Sequence, residues 1–209
     1  MIQRINQFVR RLPAWPIYLL AAALIAWHFR QALSGAYRPD PVRALEWEYG
    51  RLALQFLIAS LALTPLKRFT GLNLMKFRRA LGLSAFFMAL AHLSVWLALD
   101  MQGYVAQMFS DIVKRPFITV GMAALLMMLP LAATSHDRMI RRLGGARWRR
   151  LHRLVYALAP LVALHFIWVR KGWQIEPLVY AAIILLLLAL RLPAQNRPAP
   201  RRPGNVRAA

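Results

Sequence analysis

Apolar residues fall in long runs, and the basic residues collect between them and at their ends. The runs cover residues 12–27, 52–66, 80–99, 117–133, 147–171 and 173–190, each near the ~17–25 residues of a membrane-spanning helix. This pattern predicts an all-α polytopic membrane protein with six transmembrane helices in one bundle. Residues 1–192 form a single domain in this reading, and 193–209 form a disordered basic tail rich in Pro and Arg. The first run also has the make-up of a secretory signal, with Ser34-Gly35-Ala36 as a cleavage site. Arg30 stands before that site, and cleavage would leave an odd number of spans, so a retained helix is expected. The second run is short and stops at Thr64-Pro65, unless residues 49–51 extend it.

The segments between the runs set the orientation. The N-terminus, residues 67–79, residues 138–153 and the tail from Arg191 hold 20 of the 28 Lys and Arg residues. The opposite side holds Arg30, Arg38, Arg43, Arg51, Lys114, Arg115, Arg170 and Lys171. Positive charge marks cytoplasmic loops, which places both termini in the cytoplasm. On the outer side, residues 31–50 read as a polar loop with Asp40, Glu46 and Glu48, and a second outer loop covers 100–116. On the inner side, Thr134 or Ser135 can cap a short basic helix that Gly144-Gly145 ends.

Composition narrows the function. The chain has 209 residues, 59% of them hydrophobic and 17% charged, with mean hydropathy +0.43. A net charge of +21 suggests nucleic acid in a soluble protein, but no basic domain separates from the apolar runs. There is no cysteine, which excludes disulfides, Cys-ligated iron–sulfur clusters and covalently attached c-type heme. A redox centre would be held by histidine or bound non-covalently.

The histidines therefore carry the chemistry. His152 and His165 lie on one span, ~20 Å apart at 1.5 Å per residue. His92 is twelve residues into the third span, which runs in the same direction. His92 and His165 thus reach similar depths in the outer half. Two histidines at one height on neighbouring helices can take both axial positions of a b-type heme. The plain alternative is two polar residues bonded to backbone carbonyls or to each other. His152 has no matching histidine on the third span. His136 is one possible partner. Otherwise Arg78, Arg79 and the basic segment 138–153 would receive a flavin phosphate or a quinone head group, or His152 merely sits at headgroup level. On an ideal helix His152 and His165 stand about 140° apart, and Pro160 can change that phase. His28 and the methionines Met122, Met127 and Met128 read as packing residues. Trp168 and Trp173 read as an outer aromatic belt.

Several blocks, in order, resemble one family: PDPV (39–42), TPLKR (64–68), RRALGL (78–83) with AH (91–92), KRPFITVG (114–121), TS (134–135), LGGARWRRLHRLVY (143–156) and LHFIWVRK (164–171). Over residues 39–192 the chain resembles the MsrQ (YedZ) family, heme-binding membrane subunits of the bacterial periplasmic methionine sulfoxide reductase system, in the ferric-reductase-like transmembrane group. The resemblance implies a bacterial inner-membrane location, heme b and, in some members, FMN. It makes His92, His152 and His165 heme-associated. It implies electrons drawn from the quinone pool or a cytoplasmic flavin reductase. They pass to a periplasmic molybdopterin subunit, MsrP, which carries the sulfoxide chemistry and repairs oxidised proteins.

Two other functions remain as alternatives. A stand-alone transmembrane ferric reductase or NADPH-oxidase-like enzyme would carry a flavin and nicotinamide domain, and no G-x-G-x-x-G fingerprint is present. A non-redox helical membrane protein would be favoured by inverted repeats or broken helices.

Overall fold

The computed structural model describes residues 1–170 and 174–191. Among these it is built of helices and no strands. The chain runs α1 (Ile2–Arg11), α2 (Trp15–Leu33), α3 (Pro41–Thr70), α4 (Arg78–Val95), α5 (Val105–Lys114), α6 (Pro116–Ala133), α7 (Asp137–Leu143), α8 (Gly145–Leu151), α9 (Val155–Val169) and α10 (Ile175–Ala189). A single turn of 3₁₀ helix precedes α4, a π-helical turn (Trp96–Asp100) extends it, and a 3₁₀ turn (His152–Leu154) joins α8 to α9.

Four continuous stretches are long and apolar enough to cross a membrane: Pro41–Thr70, Met75–Asp100, Pro116–Ala133 and Gly145–Val169. A fifth is formed if α1 and α2, bent by 69° to one another, act together. Helix α10 is apolar but has 15 residues, below the usual spanning length. The predicted sixth run began at Trp173, and both that start and the tail from 192 lie outside the described residues.

Segment 31–50, expected to be a polar outer loop, is mostly helical. Asp40 caps α3, its carboxylate accepting from the Arg43 N–H at 3.0 Å, and Pro41 occupies the first turn, where its missing N–H costs nothing. Glu46 and Glu48 are therefore helical residues. Helix α3 has 30 residues and is ~45 Å long, so the second span is long rather than short. It ends at Gly71, whose φ of 75° favours glycine. On the other side His136, not Thr134 or Ser135, caps α7, its Nδ1 accepting from the Met139 N–H at 3.3 Å. Thr134 and Ser135 bond back to the carbonyls of Pro130 and Leu131. Gly144, at φ 76°, separates α7 from α8 as expected.

The buried core lies where α3, α4, α6, α9 and α10 meet, with Leu54, Leu61, Ala85, Met88, Leu158, Ala159 and Ile184 nearly solvent-free. Helix α3 packs along α4, and α6 along α9. The remaining faces expose apolar side chains, among them Leu19, Phe87, Leu126 and Leu185. In a membrane that surface is solvated by lipid rather than water.

Candidate functional site

The close of α4 and the close of α9 each carry a histidine, His92 and His165. Their ring centroids are 6.3 Å apart with planes at 80°. The depth matching read from the sequence thus ends in two facing rings.

Each ring is held the same way by the helix opposite. His92 Nδ1–H donates to the Glu46 carbonyl at 2.8 Å, and its ring lies against Gly50, four residues further along α3. His165 Nδ1–H donates to the Phe117 carbonyl at 2.6 Å, and its ring lies against Gly121, four residues further along α6. Residues i and i+4 share one helix face, so a carbonyl and a glycine in that spacing form a seat for an imidazole. A Cβ at Gly121 would stand 2.7 Å from His165 Cε1, and one at Gly50 would stand 3.2 Å from His92 Nδ1. The His165 ring could not sit this close to a residue with a side chain, and the His92 ring would have to give by a few tenths of an ångström.

A carbonyl can only accept, so Nδ1 carries the proton in both rings and Nε2 keeps its lone pair. That tautomer is the one a metal-binding imidazole needs when its other nitrogen is fixed by a second group. The bond to a backbone carbonyl, which the sequence offered as an alternative to ligation, uses one nitrogen and leaves the other free.

The two rings line a cavity of about 1360 Å³, larger than the ~300–1,000 Å³ typical of small-molecule sites. Its inner wall is apolar, with Leu54, Ala89, Ala124, Met128 and Val162, and its far end carries charged residues. Two imidazoles binding one metal from opposite sides, at ~2.0 Å per metal–nitrogen bond, have centroids ~6 Å apart, close to the separation observed. The tautomer, the spacing, the glycine seats and the volume all fit a heme held by His92 and His165.

His152 lies elsewhere and does not line this cavity. Its Nε2 is 3.2 Å from Thr134 Oγ1, and its ring stacks on Trp148 with centroids 3.9 Å apart. Trp148 Nε1–H donates to the Thr134 carbonyl at 3.0 Å. The phase difficulty between His152 and His165 disappears: both contact α6 or its end, His165 at Phe117 and His152 at Thr134. The 3₁₀ turn at His152 breaks the ideal helical phase.

Arg78 is half-buried near His152, Tyr156 and Arg191. Arg191 donates to the carbonyls of Ser60 and Leu61, and burial together with Arg78 lowers its pKa to about 10. Arg79 is exposed and paired with Asp137, and that pairing holds the Asp137 carboxyl below its usual range. The structure thus gathers His92 with His165 in one place and His152 with Arg78 in another.

Among the residues read as packing, Met122 and Met128 line the cavity. His28 meets the Tyr37 hydroxyl at 2.5 Å, and burial raises the Tyr37 pKa. Gly50 and Gly121 were not singled out from the sequence. Their signal was the spacing E-x-x-x-G and F-x-x-x-G, legible only once the histidines opposite are known.

Residues 46–163 match the family described as Ferric reductase like transmembrane component. The chain is 42% identical over 192 residues to the protein-methionine-sulfoxide reductase heme-binding subunit MsrQ of Brucella anthropi, covering 90% of this chain and 87% of that protein. It is 43% identical over 178 residues to the subunit of the same name in Brucella ovis, covering 85% of this chain and 80% of that protein.

Proposed function

Because the chain belongs to the ferric-reductase-like transmembrane family and, within it, to the MsrQ heme-binding subunits, we propose that it carries electrons across the bacterial inner membrane through a b-type heme held by His92 and His165. The facing pair of Nδ1-anchored imidazoles is the observation that carries this reading.

The heme supplies one-electron reduction and oxidation without a proton or a leaving group. The chain supplies the rest. His92 and His165 present Nε2 from opposite walls. The carbonyls of Glu46 and Phe117 hold the ring planes, and Gly50 and Gly121 allow the approach. Ala89, Ala124, Leu125 and Val162 keep the inner wall dry, which favours electron transfer over side reactions with water.

The wider reading has six spans with both termini cytoplasmic, α10 being the last and the bent α1–α2 pair the first. It is supported by the distribution of Lys and Arg. Electrons enter from the quinone pool or a cytoplasmic flavin reductase. They leave to MsrP, a periplasmic molybdopterin protein that reduces oxidised methionine. His152, with Arg78 and Arg79, serves an inner centre, either FMN or a quinone head group. Arg79 already has Asp137 as a partner, so Arg78 carries more of this role. A hydrocarbon core of ~30 Å separates donor from acceptor, and a second centre near His152 shortens that gap. The partner docks on the outer segments 31–50 and 100–116, where Tyr104, Phe109 and Val113 of the α5 region stand exposed.

The test is absorption spectroscopy of the purified protein with extraction and quantitation of heme and flavin. Sharp reduced bands of a six-coordinate heme support the relay. A colourless protein from cells with saturating heme supply refutes it.

A further inference from the structure

The cavity beside His92 and His165 is graded from an apolar wall to a charged mouth. At the mouth formed by the starts of α3 and α6 and the close of α9 stand Arg38, Arg43, Arg51, Lys114, Arg115 and Arg170. The lining adds the carboxyls of Asp40, Glu46, Glu48 and Asp100, and Asp111 and Glu176 pair with Arg115 and Arg170 from outside it.

Two of the cations differ from the others. Among the described residues, the Nε atoms of Arg51 and Arg170 are buried and have no hydrogen-bond partner. Through Nη2, Arg51 meets Glu48 at 2.5 Å and Arg170 meets Glu176 at 3.7 Å. Arg170 is further fixed over the Trp47 ring, 4.0 Å from its centroid. A guanidinium carries five donors in a rigid fork, so one carboxylate on one nitrogen leaves further donors open. A buried donor without an acceptor is unfavourable and calls for a partner. Arg115, by contrast, is half exposed and already paired with Asp111.

Both arginines are tied to the histidine pair. Arg51 follows Gly50, the seat of the His92 ring. Arg170 comes five residues after His165, ~7.5 Å further along the helix axis.

We propose that Arg51 and Arg170 receive the two propionate carboxylates of the tetrapyrrole held by His92 and His165, which fixes its acid edge at the charged mouth and its hydrocarbon edge against the apolar wall. This rests on the heme reading above and adds the orientation of the group and the residues that set it. Bidentate guanidinium–carboxylate contacts are strong and directional. They also offset carboxylate charge near the iron, so losing one favours the ferric form.

The experiment loads purified protein with protoheme or with its dimethyl ester, in which both propionates are uncharged. Wild type comes first: failure to give a six-coordinate spectrum sinks the heme reading itself, before any arginine is changed. With protoheme, Arg51→Gln and Arg170→Gln should each shift the propionate-bending band in the resonance Raman spectrum and lower the midpoint potential. With the dimethyl ester, loss of the cation should still lower the potential through space, but neither substitution should shift the band. The proposal is overturned if the band stays in place in either variant with protoheme, or if it shifts equally with the ester. Should a glutamine variant fail to take up heme, the corresponding Arg→Lys variant keeps the charge and loses the fork. A shifted band then supports the assignment, and an unmoved band overturns it.

Discussion

Replacing Gly121 by Ala tests the imidazole seats directly. The new methyl carbon would stand 2.7 Å from Cε1 and 2.8 Å from Nδ1 of His165. Non-bonded carbons settle at ~3.5–4.0 Å, so the ring must retreat by ~1 Å. The Nδ1–H bond to the Phe117 carbonyl, now 2.6 Å, would stretch beyond a useful length. Overpacking of this kind costs ~1–3 kcal/mol, and the lost hydrogen bond adds ~0.5–1.5 kcal/mol. Together that is ~1.5–4.5 kcal/mol against the ligating position, or roughly a 10- to 1600-fold shift at 1.4 kcal/mol per decade. Gly50→Ala is milder, because its Cβ would meet His92 at 3.2 Å and a few tenths of an ångström relieve the contact. Heme per protein and the ferric absorption spectrum are the assay. Gly121→Ala should lose most of the six-coordinate heme, and Gly50→Ala should keep a larger share. The reasoning fails if Gly121→Ala retains wild-type content and spectrum, or if Gly50→Ala is the more damaged of the two.

Four further outcomes are expected. His92→Ala and His165→Ala should lose the same spectral component, while His152→Ala should keep it and slow its reduction by the physiological donor; loss of that component in His152→Ala with retention in His92→Ala contradicts the pairing. With the ring planes at 80°, the ferric protein should give the strongly anisotropic low-spin electron paramagnetic resonance signal of crossed imidazoles, and a rhombic signal of parallel rings would count against it. The carboxyl of Asp137 is held below its usual range by Arg79, so its contribution is present above the unfolded value of ~3.9 and is lost as pH falls through the lower folded value; thermal unfolding of Asp137→Asn should differ from wild type by a constant amount from about pH 5 to 8, and the difference should begin to shrink only below about pH 4. A reporter fused after Ala209 should be active only in the cytoplasm, and periplasmic activity would overturn the assigned orientation.

Four of the six predicted spans correspond to long apolar helices, and they were legible because hydropathy depends on the bilayer, which acts on every residue alike. The meeting of His92 and His165 was legible for a related reason: helical rise converts residue number into depth. What escaped the sequence depends on neighbours. The outer segment 31–50 looked polar and loop-like, yet Asp40 and Pro41 start a helix there, and Glu46 and Glu48 ride on it. His136 looked like a ligand candidate and is a helix cap. The separation in phase between His152 and His165 looked like an obstacle because the helix was taken as ideal. The 3₁₀ turn at His152–Leu154 interrupts it at the residue concerned. Gly50 and Gly121 carry no signal alone, since a missing side chain matters only through what fills its place.

The acceptors for His92 and His165 are main-chain oxygens, and this limits how the protein can be tuned. A carboxylate or amide partner could be exchanged by a point substitution, and the electron-donating strength of the imidazole would change with it. A carbonyl of Glu46 or Phe117 is present whatever residue stands there. Were these rings to hold a metal, the ligand strength of His165 would be set by how far the start of α6 lies from the close of α9, and that of His92 by the fit of α3 on α4. Helix α5 leads into Phe117 through Arg115 and Pro116 with no slack between. A load on α5 would be transmitted to the 2.6 Å bond at His165. The redox potential of a heme held there would act as a strain gauge for the helix packing around it.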